Sequence, residues 1–317
     1  MQNHSAPIYV IGSINTDLVV RTPTLPRPGE TVMGRDFVAT AGGKGANQAV
    51  AASRLGGAVS LVARLGTDTF GDQALARLQD DDIHCAWITR DTTSPSGVAL
   101  ISVDDAGNNQ IVVAPGANAT LGVSEIETAL THIPADAVVL LQLEIPFHTV
   151  SQAIARLAGP ARRVILDPAP ARSLPEALLA GVYLVTPNET EAEALTGVRV
   201  SDEKAAGEAA TRLISMGARN VVVTLGAAGV LLATASGTER IDAPPVVAID
   251  STAAGDCFNG ALAVGLANKL SLHDSVQWAC GVASMSVTRR GAQDSLPYAH
   301  EAPARAATAQ PASGTDR

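Results

Sequence analysis

The segment Asp250-Ser251-Thr252-Ala253-Ala254-Gly255-Asp256 runs directly into CFNGALAVGLANKL, where Phe258, Leu262 and Leu266 share one helical face. Small residues ahead of a helix leave its first N–H groups open, and the positive end of the macrodipole lies there, so a phosphate can be held. Asp256 sits at the same mouth, where a carboxylate can take the proton of a hydroxyl that attacks the phosphate. An aspartate in that position is equally an ordinary helix cap.

A second glycine turn, Ala41-Gly42-Gly43-Lys44-Gly45-Ala46-Asn47-Gln48-Ala49, also enters a helix. It is no P-loop, because Gly45 follows Lys44 where GxxxxGK[ST] needs a magnesium-binding hydroxyl. No GxGxxG follows the first apolar run, which weakens a dinucleotide reading. The turn offers close backbone approach with Lys44 and Asn47 as donors, suited to the hydroxyls of a polar ligand; a solvated lysine on a Gly-Gly turn is the plainer alternative. In Thr186-Pro187-Asn188-Glu189-Thr190-Glu191, Asn188 and Glu191 lie within one turn and can face hydrated Mg²⁺ or phosphate oxygens, although the same residues make ordinary capping chemistry.

The elements that must position these groups are legible as short apolar runs at 7–13, 58–66, 137–144, 162–168, 182–188 and 220–226. Helical stretches at 44–56, 69–81, 149–158 and 201–216 alternate with them, which predicts βαβ units in a parallel sheet. Asn15, Asp17, Glu144, Asp167 and Asn188 fall at or after strand ends, the edge where open α/β sheets bind ligands. Segments at about 14–40 and 96–114 are instead β-rich with Pro or Gly-Asn turns, and predict a small second sheet able to close over that edge as a lid. Residues 1–300 read as a single domain, and 301–317, rich in Ala, Pro and small polar residues, as a disordered tail.

A net charge of -9 argues against a broad surface for nucleic acid or an anionic membrane, while leaving room for a small anion held by local dipoles. Aromatics are only 3% of the chain, so the core is expected to be aliphatic. Three scattered cysteines without CxxC spacing, no basic and apolar leader, and no apolar run of membrane length point to the cytoplasm. The histidines form no HxxxH pair, which gives a zinc site little support.

In order, GSINTD, PGETV, AGGKGANQAVAASRLG, QLE, DPAPAR, TPNETEAE, VTLGAAGV, DSTAAGDCFNGAL and VTRRGAQDSLP make the chain resemble the ribokinase-like, or PfkB-type, carbohydrate kinases from about residue 8 to residue 298. Within that family the segments look most like the ribokinase branch. The resemblance implies a three-layer α/β/α domain with a mostly parallel central sheet and a small β-sheet lid.

It also implies roles, residue by residue. Asn15, Asp17, Gly43, Lys44, Gly45, Ala46, Asn47 and Glu144 match positions that hold sugar hydroxyls, and Asp256 matches the catalytic base, itself in contact with the sugar. Asn188, Thr224, Gly226, Gly229, Ala254, Gly255 and Cys280 match ATP-contacting positions, and Glu191 completes a magnesium-linked NxxE. A K⁺ site beside the anion loop falls on Asp250, Thr252, Ser286, Arg289, Gly291 and Ser295. The family often writes DTTGAGD. Ser251 and Ala253 depart from it, and Ala253 is expected to force a loop conformation compatible with a Cβ.

The implied reaction is ATP-dependent phosphorylation of D-ribose at the 5-hydroxyl, giving ribose 5-phosphate and ADP, with Mg²⁺ and a K⁺ activator. Rival readings are kinases for fructose, deoxyribose, a nucleoside or a keto-deoxy sugar acid, and a non-catalytic sugar or nucleotide sensor. Few aromatics count against a nucleoside, and Arg35 is the one obvious lid cation for a sugar acid. Unpaired lid edges predict a homodimer.

Overall fold

Short runs of branched aliphatic residues, buried on both faces, build the centre of the molecule. The computed structural model describes residues 5–159 and 161–305. Strands β1 (Ile8–Ile11), β4 (Val59–Gly66), β8 (Val138–Leu141), β9 (Arg163–Leu166), β10 (Leu184–Val185) and β11 (Val221–Thr224) run parallel, with β5 (Ile88–Asp91) parallel at one edge. At the other edge β12 (Val230–Thr234) and β13 (Gly237–Ile241) add an antiparallel hairpin that the βαβ reading does not contain. The order is β13-β12-β11-β10-β9-β8-β1-β4-β5. In β1, which pairs Ile8 with Val59 on one side and Val138 on the other, successive side chains enter opposite layers.

Ile8 and Val10 pack toward α1 (Lys44–Arg54), α2 (Thr69–Asp80), α8 (Ala254–Ala267) and α9 (Leu272–Ser286). Tyr9 and Ile11 pack toward α3 (Val123–His132), α4 (Phe147–Leu157), α5 (Glu176–Leu179), α6 (Glu189–Thr196) and α7 (Glu203–Ser215). The result is the expected three-layer α/β/α arrangement, with the sheet between two aliphatic cores. Helix starts follow the local chemistry: Asp68, Asp202 and Ser271 accept from Gly71, Ala205 and Asp274 N–H groups. α8 is unusual in being buried at every residue from Asp256 to Ala267, and from Gly260 onward it is apolar all round as befits a helix enclosed by the sheet, α1 and α9.

A separate four-stranded sheet, in order β3-β2-β6-β7, is made from β2 (Asn15–Arg21), β3 (Phe37–Gly42), β6 (Gly97–Val103) and β7 (Asn109–Ala114). Its near end pairs Asn15 with Gly42 and Gly97, which brings the chain after β1 and the turn before α1 together. Phe37, Val38, Leu100, Ile111, Val112 and Val113 are exposed on this sheet.

The end of the chain corrects the expectation of a tail from 301. Ala299 N–H donates to the Arg54 carbonyl, Glu301 pairs with Arg289, and the Trp278 indole N–H donates to Pro303 O at 2.8 Å. Residues 301–305 are thus packed against the body by partners that no local pattern announces; the remainder of that expected tail, 306–317, lies outside the described residues. Among the described residues no helix is long and apolar enough to cross a membrane.

Candidate active site

The mouth of α8 is shaped by backbone geometry. Its N-cap, Ala253, adopts φ 60 and ψ 14, the left-handed region, so the loop keeps a conformation natural to glycine and does not accommodate the Cβ as expected. The alanine bears the strain, roughly 1 kcal/mol. Ala253 O accepts from Cys257 N–H at 2.8 Å, and among the described residues the N–H groups of Gly255 and Asp256 reach no backbone acceptor. They face outward at the positive end of a long buried helix.

Asp256, 4% exposed, is gripped from α1. Asn47 Nδ2 donates to Oδ2 at 3.0 Å and Gln48 Nε2 to Oδ1 at 3.1 Å. α1 can lie this close to α8 because Gly260 has no Cβ to meet Gln48 O and Ala51, while Gly43, at φ 89, packs against the backbone of Ile14 and Asn15, where a Cβ would collide. Lys44 Nζ stands 3.9 Å from Asp256 and 3.8 Å from Asp167. Burial disfavours its charge, but Asp256, Asp167, Glu144 and Glu191 outweigh that and hold the ammonium above the usual lysine range. Burial pushes the Asp167 carboxyl up, Lys44 opposes this, and the neighbouring carboxylates add to it.

The residues expected to hold sugar hydroxyls gather beside this pair. Glu144 accepts from Ser13 Oγ at 2.5 Å and from Lys44 N–H at 3.0 Å. Asn15 is buried and accepts from Asn118 Nδ2 at 2.8 Å, while Asn118 also brackets the Ile14 peptide. Asp17 is pushed up to about 6 by burial and then by Glu144 and Asp256. Carboxylates clustered around one ammonium make acceptors for the O–H groups of a neutral, hydroxyl-rich ligand. Ser13, Gln48, Asn118 and Asp167 belong to this cluster but are not among the site residues expected from sequence. Asp167 carried a signal as a strand-end carboxylate, whereas Asn118 and Ser13 become visible only through contacts across 103 and 131 positions.

Next to it, Thr224, Gly226, Gly229, Ala254, Gly255 and Cys280 line a single cavity of about 490 Å³. Pro245, Val246, Phe258 and Val287 add an apolar wall, suited to a flat base; Pro245 and Val246 carry no sequence signal because 242–249 has no periodicity. Burial pushes the Cys280 thiol up to about 12, so it is an uncharged part of that wall. Asn188 and Glu191 are outside the lining and form a reciprocal capping box at α6: Asn188 Oδ1 accepts from Glu191 N–H, and Glu191 Oε2 from Asn188 N–H. Asn188 bridges to Thr224, which ties the box to the cavity wall.

The residues expected around K⁺ are also brought together. Asp250 accepts from Thr252 N–H and Oγ1 and, across the loop, from Gly291 N–H at 2.9 Å. These hydrogen bonds hold its carboxyl below the usual range against the opposing effect of burial. Among the described residues the carbonyls of Asp250, Thr252, Arg289 and Gly291 accept no backbone hydrogen bond, the oxygen chemistry that suits a hard monovalent cation. Ser286 O and the hydroxyls of Ser286 and Ser295 are engaged within their own turns, and the Arg289 guanidinium turns to Glu301.

Comparisons with known proteins agree with this geometry. The model of the pfkB family carbohydrate kinases matches residues 6–299. A ribokinase of Haemophilus influenzae is 39% identical over 294 residues, covering 93% of this chain and 96% of its own. A deoxyribokinase of Salmonella typhi is 35% identical over 291 residues, covering 92% and 95%. The structure of Arabidopsis thaliana ribokinase complexed with ribose and ATP superposes with a TM-score of 0.86 at 31% identity, covering 93% of this chain and 97% of that one. Since the match runs through both the small sheet and the α8 mouth, this chain belongs to the pfkB family of carbohydrate kinases.

Proposed function

We propose that the chain transfers the γ-phosphoryl group of ATP to the 5-hydroxyl of D-ribose, giving ribose 5-phosphate and ADP, with Asp256 as the base. The observation that carries this reading is the buried Asp256 carboxylate, standing between the hydroxyl-binding cluster and the cavity lined by its neighbour Gly255. The ribose oxygen forms the new P–O bond, the bond from the γ-phosphorus to the β–γ bridging oxygen breaks with its electrons going to ADP, and the hydroxyl proton passes to Asp256. Two amides and Lys44 occupy part of the carboxylate's acceptor capacity and leave room for that proton. Negative charge on the transferring group is met by the Gly255 and Asp256 N–H groups and the α8 dipole.

Mg²⁺, when bound with ATP, would neutralise phosphate charge; Glu191, whose oxygens serve the capping box, fits contact with its water shell. K⁺ would be held by the free carbonyls of Asp250, Thr252, Arg289 and Gly291, with Ser286 and Ser295 flanking, and would stiffen the loop before α8. The small sheet would close over the sugar as a lid. Its edge strands and exposed apolar face, with Phe37 and Val112 each 64% exposed, support a homodimer through the lid, testable by light scattering at micromolar concentration. Three free thiols suit the cytoplasm.

Arg35 counts against a sugar acid, because it forms a two-pronged pair with Asp105, at 3.0 and 2.8 Å, on the surface of the small sheet. The second reading favoured by a specific observation is 2-deoxyribose, from the similarity to a deoxyribokinase. ADP release with ribose, 2-deoxyribose and other sugars, with and without K⁺, tests both. Fastest turnover of ribose supports the proposal, a preference for 2-deoxyribose selects the second reading, and binding without turnover makes the chain a sensor.

A further inference from the structure

Asp256 is held by two consecutive amides of α1, and each amide is itself anchored. Asn47 Oδ1 accepts from Gln293 Nε2 at 3.1 Å, and Gln48 Oε1 accepts from Gln142 Nε2 at 2.6 Å. Gln48 and Gln142 are fully buried. Gln48 spends both amide hydrogens on carboxylates, 2.8 Å to Asp167 Oδ2 and 3.1 Å to Asp256 Oδ1. Turning this amide over would set its oxygen against both carboxylates, so electrostatics alone fixes its direction. Gln142 must then present its NH₂ to Gln48. Its own oxygen is left pressed against Gly12, the one buried side-chain polar atom without a partner among the described residues. An orphaned buried acceptor is unfavourable, and this one is the consequence of holding Gln48 in place.

We propose that Gln48 is a positioning residue for phosphoryl transfer, with Gln142 as its strut: its amide sets the direction of the Asp256 carboxylate and yokes it to Asp167 beside Lys44. The inference rests on the reading of Asp256 as the base. The donated hydrogen bond fixes where the carboxylate oxygens point, so losing it lets the base turn away from the hydroxyl it must deprotonate. The groups facing the pair are Lys44 from α1, Asp167 after β9, Glu144 after β8, Glu191 from α6 and Asp17 from β2.

The test is Gln48→Met, which keeps length without donors, assayed by ADP release with ribose and ATP. The expected result is a kcat about 10- to 100-fold lower with KM for both substrates within about threefold. Gln48→Glu sets a third carboxylate against the pair and lowers kcat further. An unchanged kcat in folded Gln48→Met overturns the proposal. If that variant does not fold, Gln142→Met decides: a lowered kcat with KM within about threefold supports the strut, and wild-type behaviour overturns it. Asp256→Asn run in parallel separates the two readings. An active Asp256→Asn defeats the base assignment, whereas an inactive one beside a fully active Gln48→Met defeats only the role of Gln48.

Discussion

The ammonium of Lys44 stands 3.9 Å from the carboxylate of Asp256, in a pocket where Asp167 and Glu144 also press on it. One cation therefore compensates several acids, and Asp256 is held by Asn47 and Gln48 beside it. Replacing it by Asn keeps the shape but removes the proton acceptor. Asp256→Asn is expected to lower kcat by roughly 10² to 10⁴ with little change in KM, measured by ADP release. Wild-type turnover would remove Asp256 from the mechanism.

The strain at Ala253 makes a second prediction. A non-glycine residue at φ 60 is disfavoured by roughly 1 kcal/mol, and glycine offsets part of that relief through its greater freedom when unfolded. Ala253→Gly should leave ADP release unchanged and raise Tm by about 1–2 °C. Ala253→Val, β-branched at the same angle, should lower both Tm and affinity for ATP, seen by calorimetry. A Tm lower in the glycine variant than in wild type would contradict the strained loop.

What sequence could and could not say follows from distance along the chain. The α8 mouth and the Gly43 turn were legible because small residues beside a helix start are a local signal, and Asp17, Glu144 and Asn188 because strand ends are. Gln48 was unmarked, since its meaning lies in Asp256, Asp167 and Gln142, which are 208, 119 and 94 residues away. Ala253 was misjudged because tertiary packing of α8 overrode a local backbone preference. The 301–305 segment was misjudged because Glu301 and Pro303 answer Arg289 and Trp278, partners outside its own composition.

Asp17 gives the chain a pH signature. Its folded-state value of about 6 lies above the ordinary 3.8, so folding favours the protonated form. That contribution is fully present below pH 3.8 and is lost as pH rises through about 6. Asp17→Asn, always neutral, should match wild-type stability near pH 4 and exceed it by on the order of 1–2 kcal/mol at pH 8, after allowance for partial exposure. Thermal unfolding across pH measures this. An advantage that does not grow with pH would show that Asp17 is not penalised by its neighbours. The same variant should bind ribose more weakly above pH 6, where the wild-type carboxylate is the better acceptor for hydroxyls.

Asp250 joins the two halves of the proposed cation loop, accepting from Thr252 on one side and Gly291 on the other. Hydrogen bonds to an ionised acceptor are stronger than neutral ones, and these hold the free carbonyls of Thr252 and Gly291 on facing segments. Asp250→Ala releases Gly291 and lets the carbonyl cluster spread. Because the loop leads directly into the N-terminus of α8, disorder there reaches the Gly255 and Asp256 N–H groups that would stabilise the transferring phosphate. The expected result is about a tenfold rise in the K⁺ concentration needed for half-maximal rate, a parallel rise in KM for ATP, and ribose affinity unchanged by calorimetry. Unaltered K⁺ activation in a folded Asp250→Ala would place the ion elsewhere, while loss of ribose affinity would mean that the loop supports the hydroxyl cluster as well as the phosphate.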